Sequence, residues 1–115
     1  MFCPTVAAVV SIVLGVSPAD APRVGRVVED FRLRDHLGTQ RSFRELQGER
    51  ATVVAFLGVE CPLAKLYGVR LGAMARAYKD RGVSFIGVNS NQQDSATEIQ
   101  HYARKHGIDF PILKD

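Results

Sequence analysis

The chain of 115 residues contains no tryptophan, only two cysteines and no dense run of basic residues. Each shortage excludes something. Cys3 and Cys61 are too few to build the disulfide framework that holds small secreted domains together. The net charge is +3, and the Lys and Arg residues are strewn from Arg23 to Lys114. A nucleic-acid face needs such residues clustered with aromatic or polar partners, so no nucleic-acid partner is expected. The apolar run Val6–Val16 is eleven residues long, whereas a membrane-spanning helix needs about 20. Internal repeats and low-complexity segments are also missing. What remains, 46% hydrophobic and 23% charged, is the composition of an ordinary globular protein of one domain at most.

The first residues stand apart from the rest. "MFCPTVAAVVSIVLGVSPADAP" has an apolar core and then small residues at Ser17, Ala19 and Ala21, the pattern of a secretory signal cut after Ala19 or Ala21. No Lys or Arg precedes the apolar core, where such signals usually carry one. Residues 1–21 are therefore expected to be a secretory signal or, uncleaved, a membrane tether, with residues 22–115 forming an exported, periplasmic or extracytoplasmic domain. Cys3 lies before the apolar core and is not placed as a lipoprotein acceptor. Removal of the segment leaves Cys61 as the only thiol.

Beyond Pro22 the chain breaks into short units. "EDFRLRD" alternates Phe31 and Leu33 with Arg32 and Arg34, the period of a half-buried strand. "HLGTQRSF" supplies a turn at Gly38 and a return strand, so Phe31–Phe43 reads as a hairpin. "RELQGER" reads as one helical turn closed by Gly48. "ATVVAFLG" is a continuous apolar run and predicts a strand buried on both faces of a parallel sheet. In "CPLAKLYGVRLGAMARAYKDRG", Leu63, Leu66 or Tyr67, Leu71, Met74 and Tyr78 recur at helical spacing and predict a buried face. Pro62 suits the first turn of that helix and Gly82 its end. Gly68 and Gly72 weaken its middle by about 1 kcal/mol each, which points to close packing against the sheet. "VSFIGVN" predicts a second buried strand. Ser95 and Glu98 then form a capping box for a helix closed by Gly107, and "IDFPIL" begins another extended segment. The order of elements predicts an α/β fold, a hairpin followed by a βαβα unit with helices on both faces of the sheet.

In such sheets the functional crevice lies beyond the carboxyl ends of the strands. Cys61 falls there, between an apolar strand and a helix start. The free N–H groups and positive dipole end of the helix favour its thiolate. Lys65, one turn on, acts in the same direction, and Glu60 opposes it if its carboxylate turns inward. A packed, inert thiol is the competing reading. Asn89 and Asn91, in "NSNQQD", fall on the same rim and are candidate cleft residues, though a plain polar loop has the same composition. Asp94 and Glu98 read as first-turn charges that favour the helix dipole. His101 and His106 are five apart and do not share a helical face as an i, i+4 pair would. Neither they nor His36 suggests a metal site, and "GVECPLAK" lacks the Gly-Lys-Ser/Thr ending of a phosphate loop. No cofactor is expected.

From "FRLRDHLG" through "ATVVAFLGVECPLAK" and "GVSFIGVNSN" to "HGIDFPILKD", the order and spacing of these pieces resemble the earlier part of a redoxin domain. This is the thioredoxin-like superfamily that holds the alkyl hydroperoxide reductase/thiol-specific antioxidant (peroxiredoxin) proteins and the membrane-tethered thiol–disulfide reductases. The resemblance implies a thioredoxin-like fold with Cys61 as the attacking cysteine. Its substrate would be a peroxide or a disulfide, and an external thiol would be its reductant. A redox-inactive thioredoxin-like binding module is the alternative. The second elements of the subfamilies are replaced. Ala64 stands at the resolving position of Cys-x-x-Cys. Val54 and Gly58 stand at the Pro and Thr/Ser positions of Pro-x-x-x-Thr/Ser-x-x-Cys. Leu57 occupies the first position of the copper-chaperone Cys-x-x-x-Cys-Pro. Redoxin domains continue with a strand led by a cis-proline, another strand and a helix, so the resemblance also implies that these residues are part of a longer domain.

Overall fold

The computed structural model describes residues 24–115. The export segment and Cys3 lie outside the described residues. β1 (Arg32–Asp35) and β2 (Gln40–Ser42) form the expected hairpin, paired antiparallel with Leu33 opposite Arg41. Asp35 makes the turn: its buried Oδ1 accepts the N–H groups of Leu37 and Thr39, both at 2.9 Å. Gly38 supplies the positive φ of 86° that the reversal needs. α1 (Phe43–Leu46) follows, capped by the Ser42 side chain on the N–H of Glu45.

β3 (Ala51–Phe56), α2 (Pro62–Tyr78) and β4 (Val83–Asn89) make the parallel βαβ unit, with Val54 opposite Ile86. A single turn of 3₁₀ helix, Lys79–Arg81, ends α2, and Gly82 turns the chain at φ 74°. α3 (Ala96–His106) opens on the capping box of Ser95 and Glu98 and closes on Gly107 at φ 64°. β5 (Ile112–Lys114) then inserts between hairpin and βαβ unit, antiparallel to β1 and parallel to β4, giving the strand order β2-β1-β5-β4-β3. This is a thioredoxin-like α/β fold.

Alternation along β4 and β5 divides the core in two. Phe85 and Ile112 face α2 and α3, where Leu57, Ala64, Ile99, Tyr102 and Phe110 complete a cluster. Ile86 and Leu113 point to the other face, against Phe43, Phe31, Leu33 and Leu46. Phe31 and Phe43 stack there with centroids 5.1 Å apart. Helices thus lie on both faces, although only the four-residue α1 covers the second.

Two expectations are corrected. β3 is an edge strand among the described residues, paired only with β4, and is not buried on both faces; Phe56 is 74% exposed. Val53 and Val54, which point to opposite faces, are both exposed, and Ala55 alone of its apolar residues packs partly on the α2–α3 cluster. The buried face of α2 is also not the one that its large apolar residues mark. Ala64, Gly68 and Gly72 are buried, whereas Leu63, Leu66, Tyr67, Met74 and Tyr78 are exposed. Small residues win because the helix approaches α3 and the loop after it too closely for anything larger. A Cβ on Gly68 would lie 2.8 Å from Tyr102 Oη, and one on Gly72 only 2.3 Å from the carbonyl oxygen of Gly107. The close packing inferred from these glycines exists, directed at α3 and its end rather than at the sheet.

His36 laces the hairpin to the centre. Its Nδ1 accepts the Ile112 N–H at 3.2 Å, its own N–H donates to the Ile112 carbonyl, and its carbonyl accepts from Gln100. Burial lowers its pKa, with the Asp35 charge and the hydrogen bond with the Ile112 backbone working the other way. The unfolded chain therefore takes up this proton at higher pH than the folded one, so stability is lost as pH falls below about 6.5. The melting temperature should drop between pH 7.5 and 5.5, and His36→Gln should flatten that part of the curve. Gly72→Ala tests the helix contact. It should destabilise the fold by about 1–3 kcal/mol in urea titration, despite the better helix propensity of alanine; a neutral result would mean that α2 sits further from Gly107.

Candidate active site

Cys61 is the N-cap of α2, with φ −68° and ψ 120°, and its thiol is exposed. The local sequence explains the placement. β3 stops at Phe56, and the Leu57 N–H makes one further ladder bond to the Val88 carbonyl, 2.9 Å. Gly58–Cys61 then folds into a tight turn in which the Cys61 N–H donates to the Gly58 carbonyl at 3.1 Å. Pro62 starts the helix where a missing N–H does no harm. The Cys61 carbonyl accepts from the Lys65 N–H at 3.0 Å, while its side chain caps nothing. The thiol therefore sits at the positive end of a 17-residue helix, open to solvent and beyond the carboxyl end of β3.

The charges flanking it engage each other. Lys65 Nζ lies 2.9 Å from Glu60 Oε2, and both side chains are well exposed, so the pair contributes little to stability and offsets its own field at the thiol. Behind the helix start, Tyr102 is 3% exposed and its hydroxyl donates to the Ala64 carbonyl, in the first turn of α2. Burial raises the Tyr102 pKa, and the proximity of Cys61 adds to the rise. Tyr102 thus remains a neutral donor that holds the turn carrying Cys61.

The β4–α3 loop stands beside this turn. Asn89 is 1% exposed at the end of β4, so it underlies the rim rather than lining it; Asn91 is exposed. Only Glu98 lies in the first turn of α3; Asp94, expected to be a first-turn charge there, has a different role that sequence reasoning missed. It precedes the cap residue Ser95, is 7% exposed, and makes long-range contacts. Its Oδ2 accepts from the Val59 N–H at 2.9 Å, Asn89 Nδ2 at 2.7 Å and Asn91 Nδ2 at 3.2 Å. Lys114 Nζ joins by donating to Asn89 Oδ1 at 3.3 Å and to the Asn91 carbonyl. Burial pushes the Asp94 pKa up, but the Val59, Asn89 and Asn91 hydrogen bonds and the Lys114 charge together outweigh it and leave the carboxyl below its usual range. One sequence signal pointed here: Ser95 and Glu98 already cap α3, which leaves the adjacent carboxylate free for other work.

Gly58 fits the same arrangement. A Cβ there would lie 2.6 Å from Asn91 Nδ2 and 3.5 Å from the Cys61 Cβ. At the other end of the sheet, a cleft of about 580 Å³ is lined by residues including Glu49, Arg76, Asp80, Phe85 and Asp109. Cys61 is not among its lining residues.

Comparison with known proteins decides the family, because the AhpC/TSA family model matches residues 24–115. The chain belongs to the AhpC/TSA family. This redoxin is 28% identical over 118 residues to the thiol-disulfide oxidoreductase ResA of Halalkalibacterium halodurans, covering 96% of the chain and 65% of that protein. Among solved structures it resembles a secreted Mycobacterium tuberculosis disulfide oxidoreductase homologous to E. coli DsbE, with TM-score 0.65 and 24% identity over 74% of this chain and 60% of that one. It also resembles the peroxidoxin BcpB of Mycobacterium tuberculosis, with TM-score 0.66 and 24% identity over 79% of this chain and 58% of that one. The redoxin thus spans less than two thirds of each. Disulfide-active and peroxide-active proteins share its fold.

Two outcomes follow from the geometry. Tyr102→Phe should lower stability by about 1 kcal/mol in chemical denaturation and raise exchange of the first-turn amides of α2. The depressed Asp94 carboxyl contributes stability above about pH 4, lost as pH falls through its folded pKa. Asp94→Asn should therefore reduce the acid sensitivity of the folded state, read by circular dichroism between pH 5 and 2.

Proposed function

We propose that this redoxin is a thiol-based oxidoreductase in which the Cys61 thiolate is the attacking nucleophile. One observation carries the reading: Cys61, the exposed N-cap residue of α2, stands beyond the carboxyl end of β3, on a turn tied to both β4 and the β4–α3 loop. That position supplies free helix N–H groups and accessibility together, and these are what a reactive thiolate needs. Pro62 fixes the start of the helix. Lys65 and Glu60 border the thiol at its exposed side.

The chemistry closes with an external thiol. Against a disulfide RSSR, the Cys61 thiolate attacks one sulfur, forms the Cys61–S–S–R bond and expels RS⁻. Against a peroxide ROOH, it attacks the terminal oxygen, breaks the O–O bond and becomes the sulfenic acid as ROH leaves, a two-electron oxidation of sulfur. An external thiol then attacks the Cys61 sulfur, displacing water from the sulfenic acid or RS⁻ from the Cys61–S–S–R bond, and leaves a mixed disulfide with the reductant. A second equivalent releases the Cys61 thiol together with the reductant disulfide. Ala64 makes this dependence explicit, because the helix offers no partner sulfur where Cys-x-x-Cys proteins carry one. The relative ResA is named a thiol-disulfide oxidoreductase, which favours disulfide exchange as the working reaction. The N-terminal sequence favours an exported protein, with residues 1–21 as signal or tether.

Iodoacetamide kinetics on the folded protein test the reading. Cys61 should alkylate at pH 7 at least about tenfold faster than a cysteine in an unstructured peptide, and Cys61→Ser should abolish this fast phase, leaving only what Cys3 contributes, together with turnover of glutathione disulfide. Alkylation at the unstructured rate would sink it. Peroxide followed by dimedone trapping then separates the substrates: a trapped sulfenate at a rate exceeding that of disulfide exchange would make the protein a peroxidase.

A further inference from the structure

We propose that Asp94 is the positioning residue of Cys61, holding the nucleophile's turn by its backbone and fixing the Asn91 carboxamide beside it. The proposal rests on Cys61 being the nucleophile. Among the described residues, the Val59 N–H to Asp94 Oδ2 bond of 2.9 Å is the single hydrogen bond joining residues 58–61 to the β4–α3 loop. It links positions 35 residues apart in sequence. The remaining bonds of the turn are local, from the Cys61 N–H to the Gly58 carbonyl, from the Lys65 N–H to the Cys61 carbonyl, and from Lys65 Nζ to Glu60 Oε2. Without Asp94 the turn keeps its shape but loses its tether.

The tether has a second arm. Asn91 Nδ2 reaches the same Oδ2 at 3.2 Å, and its path runs through the space that a side chain at residue 58 would fill. A single Cβ there would contact both Asn91 Nδ2 and the Cys61 Cβ. Asp94 thereby ties the turn to the loop and holds the Asn91 amide against Gly58, three residues before the cysteine. Asn89 and Lys114 brace the assembly from β4 and β5, donating to Asp94 Oδ2 at 2.7 Å and to Asn89 Oδ1 at 3.3 Å.

No other duty explains the residue. Ser95 and Glu98 complete the cap of α3 without it, with Ser95 Oγ accepting the Glu98 N–H and Glu98 Oε2 accepting the Ser95 N–H. A buried carboxylate is costly unless its partners are in place. Here three donors converge on one oxygen, and one of them belongs to the nucleophile's turn. The sulfur must line up with the bond it attacks, and displacements near 1 Å lower such rates by as much as about a hundredfold. A carboxylate that controls the turn controls that alignment.

The experiment compares wild type with Asp94→Ala and Asp94→Asn at pH 7, using glutathione disulfide as the probe and following Val59 amide exchange by NMR. Asp94→Ala should slow disulfide attack by about tenfold or more and abolish protection of the Val59 amide. Asp94→Asn keeps an acceptor oxygen without the charge, and should return the rate to within about threefold of wild type. Equal slowing in both variants would assign the effect to charge and overturn the proposal, as would wild-type rates with an unprotected Val59 amide. Gly58→Ser, which drives the Asn91 carboxamide away from an exposed loop, covers the case in which Asp94→Ala fails to fold; a folded Gly58→Ser protein with wild-type rates overturns the proposal too. The comparison is a ratio between variants and wild type. A slow wild-type thiol would therefore remove the proposed function, while an unchanged ratio would remove the positioning role.

Discussion

The three residues of β5 hold the molecule together. Ile112 and Leu113 are almost wholly buried, each on its own face of the sheet, and between them they touch both halves of the core. Without β5 the hairpin and the βαβ unit share no strand pairing, since β1 and β4 meet only through it. The active-site rim inherits its order from the same strand. Lys114 is in register with Asn89 across the parallel ladder, so the cation that steadies the polar cluster is delivered by the pairing that closes the core. Fold and site are therefore not separate achievements of this chain. A register shift in β5 would reverse Ile112 and Leu113 and withdraw Lys114 in one step.

Much of this was legible in the sequence, and the limits are physical. The strand–turn–proline order placed Cys61 correctly because each element has a local signal: an apolar run, a glycine and a proline at the first helical position. The capping box of Ser95 and Glu98 is equally local. The face of α2 was misread because periodicity weighs residues by their hydrophobicity, whereas the contact with α3 selects them by size. Leu66 and Tyr67 have the apolar surface, yet Gly68 and Gly72 have the contact. The exposure of β3 was invisible for a related reason, since residues that suit a doubly buried strand look the same when one side is open. Asp94 escaped because a hydrogen bond across 35 residues leaves no period behind.

Large apolar side chains stay open on two elements. Phe56 is exposed on the edge strand β3, and Leu63, Leu66 and Tyr67 are exposed on α2. The chain spans 65% of the length of ResA. An edge strand with unpaired peptide groups accepts another extended segment readily, and the thiol sits at the end of that same edge. The site is thus half walled, by Asp94, Asn91 and Tyr102, and half open.

Gly58 carries a consequence for how such a site changes over time. In the peroxiredoxin pattern that position holds a hydroxyl residue, and here it holds nothing, so that Asn91 can occupy the space. A side chain at residue 58 would put its Cβ 2.6 Å from that amide nitrogen, so the Asn91 side chain would have to swing aside. Restoring the hydroxyl alone expels Asn91 from its place on Asp94; removing Asn91 alone leaves Asp94 short of a donor and the flank of Cys61 empty. The absence of a side chain at Gly58 is what lets residues 58, 91 and 94 share one small space, so a change at any of them is felt at the other two.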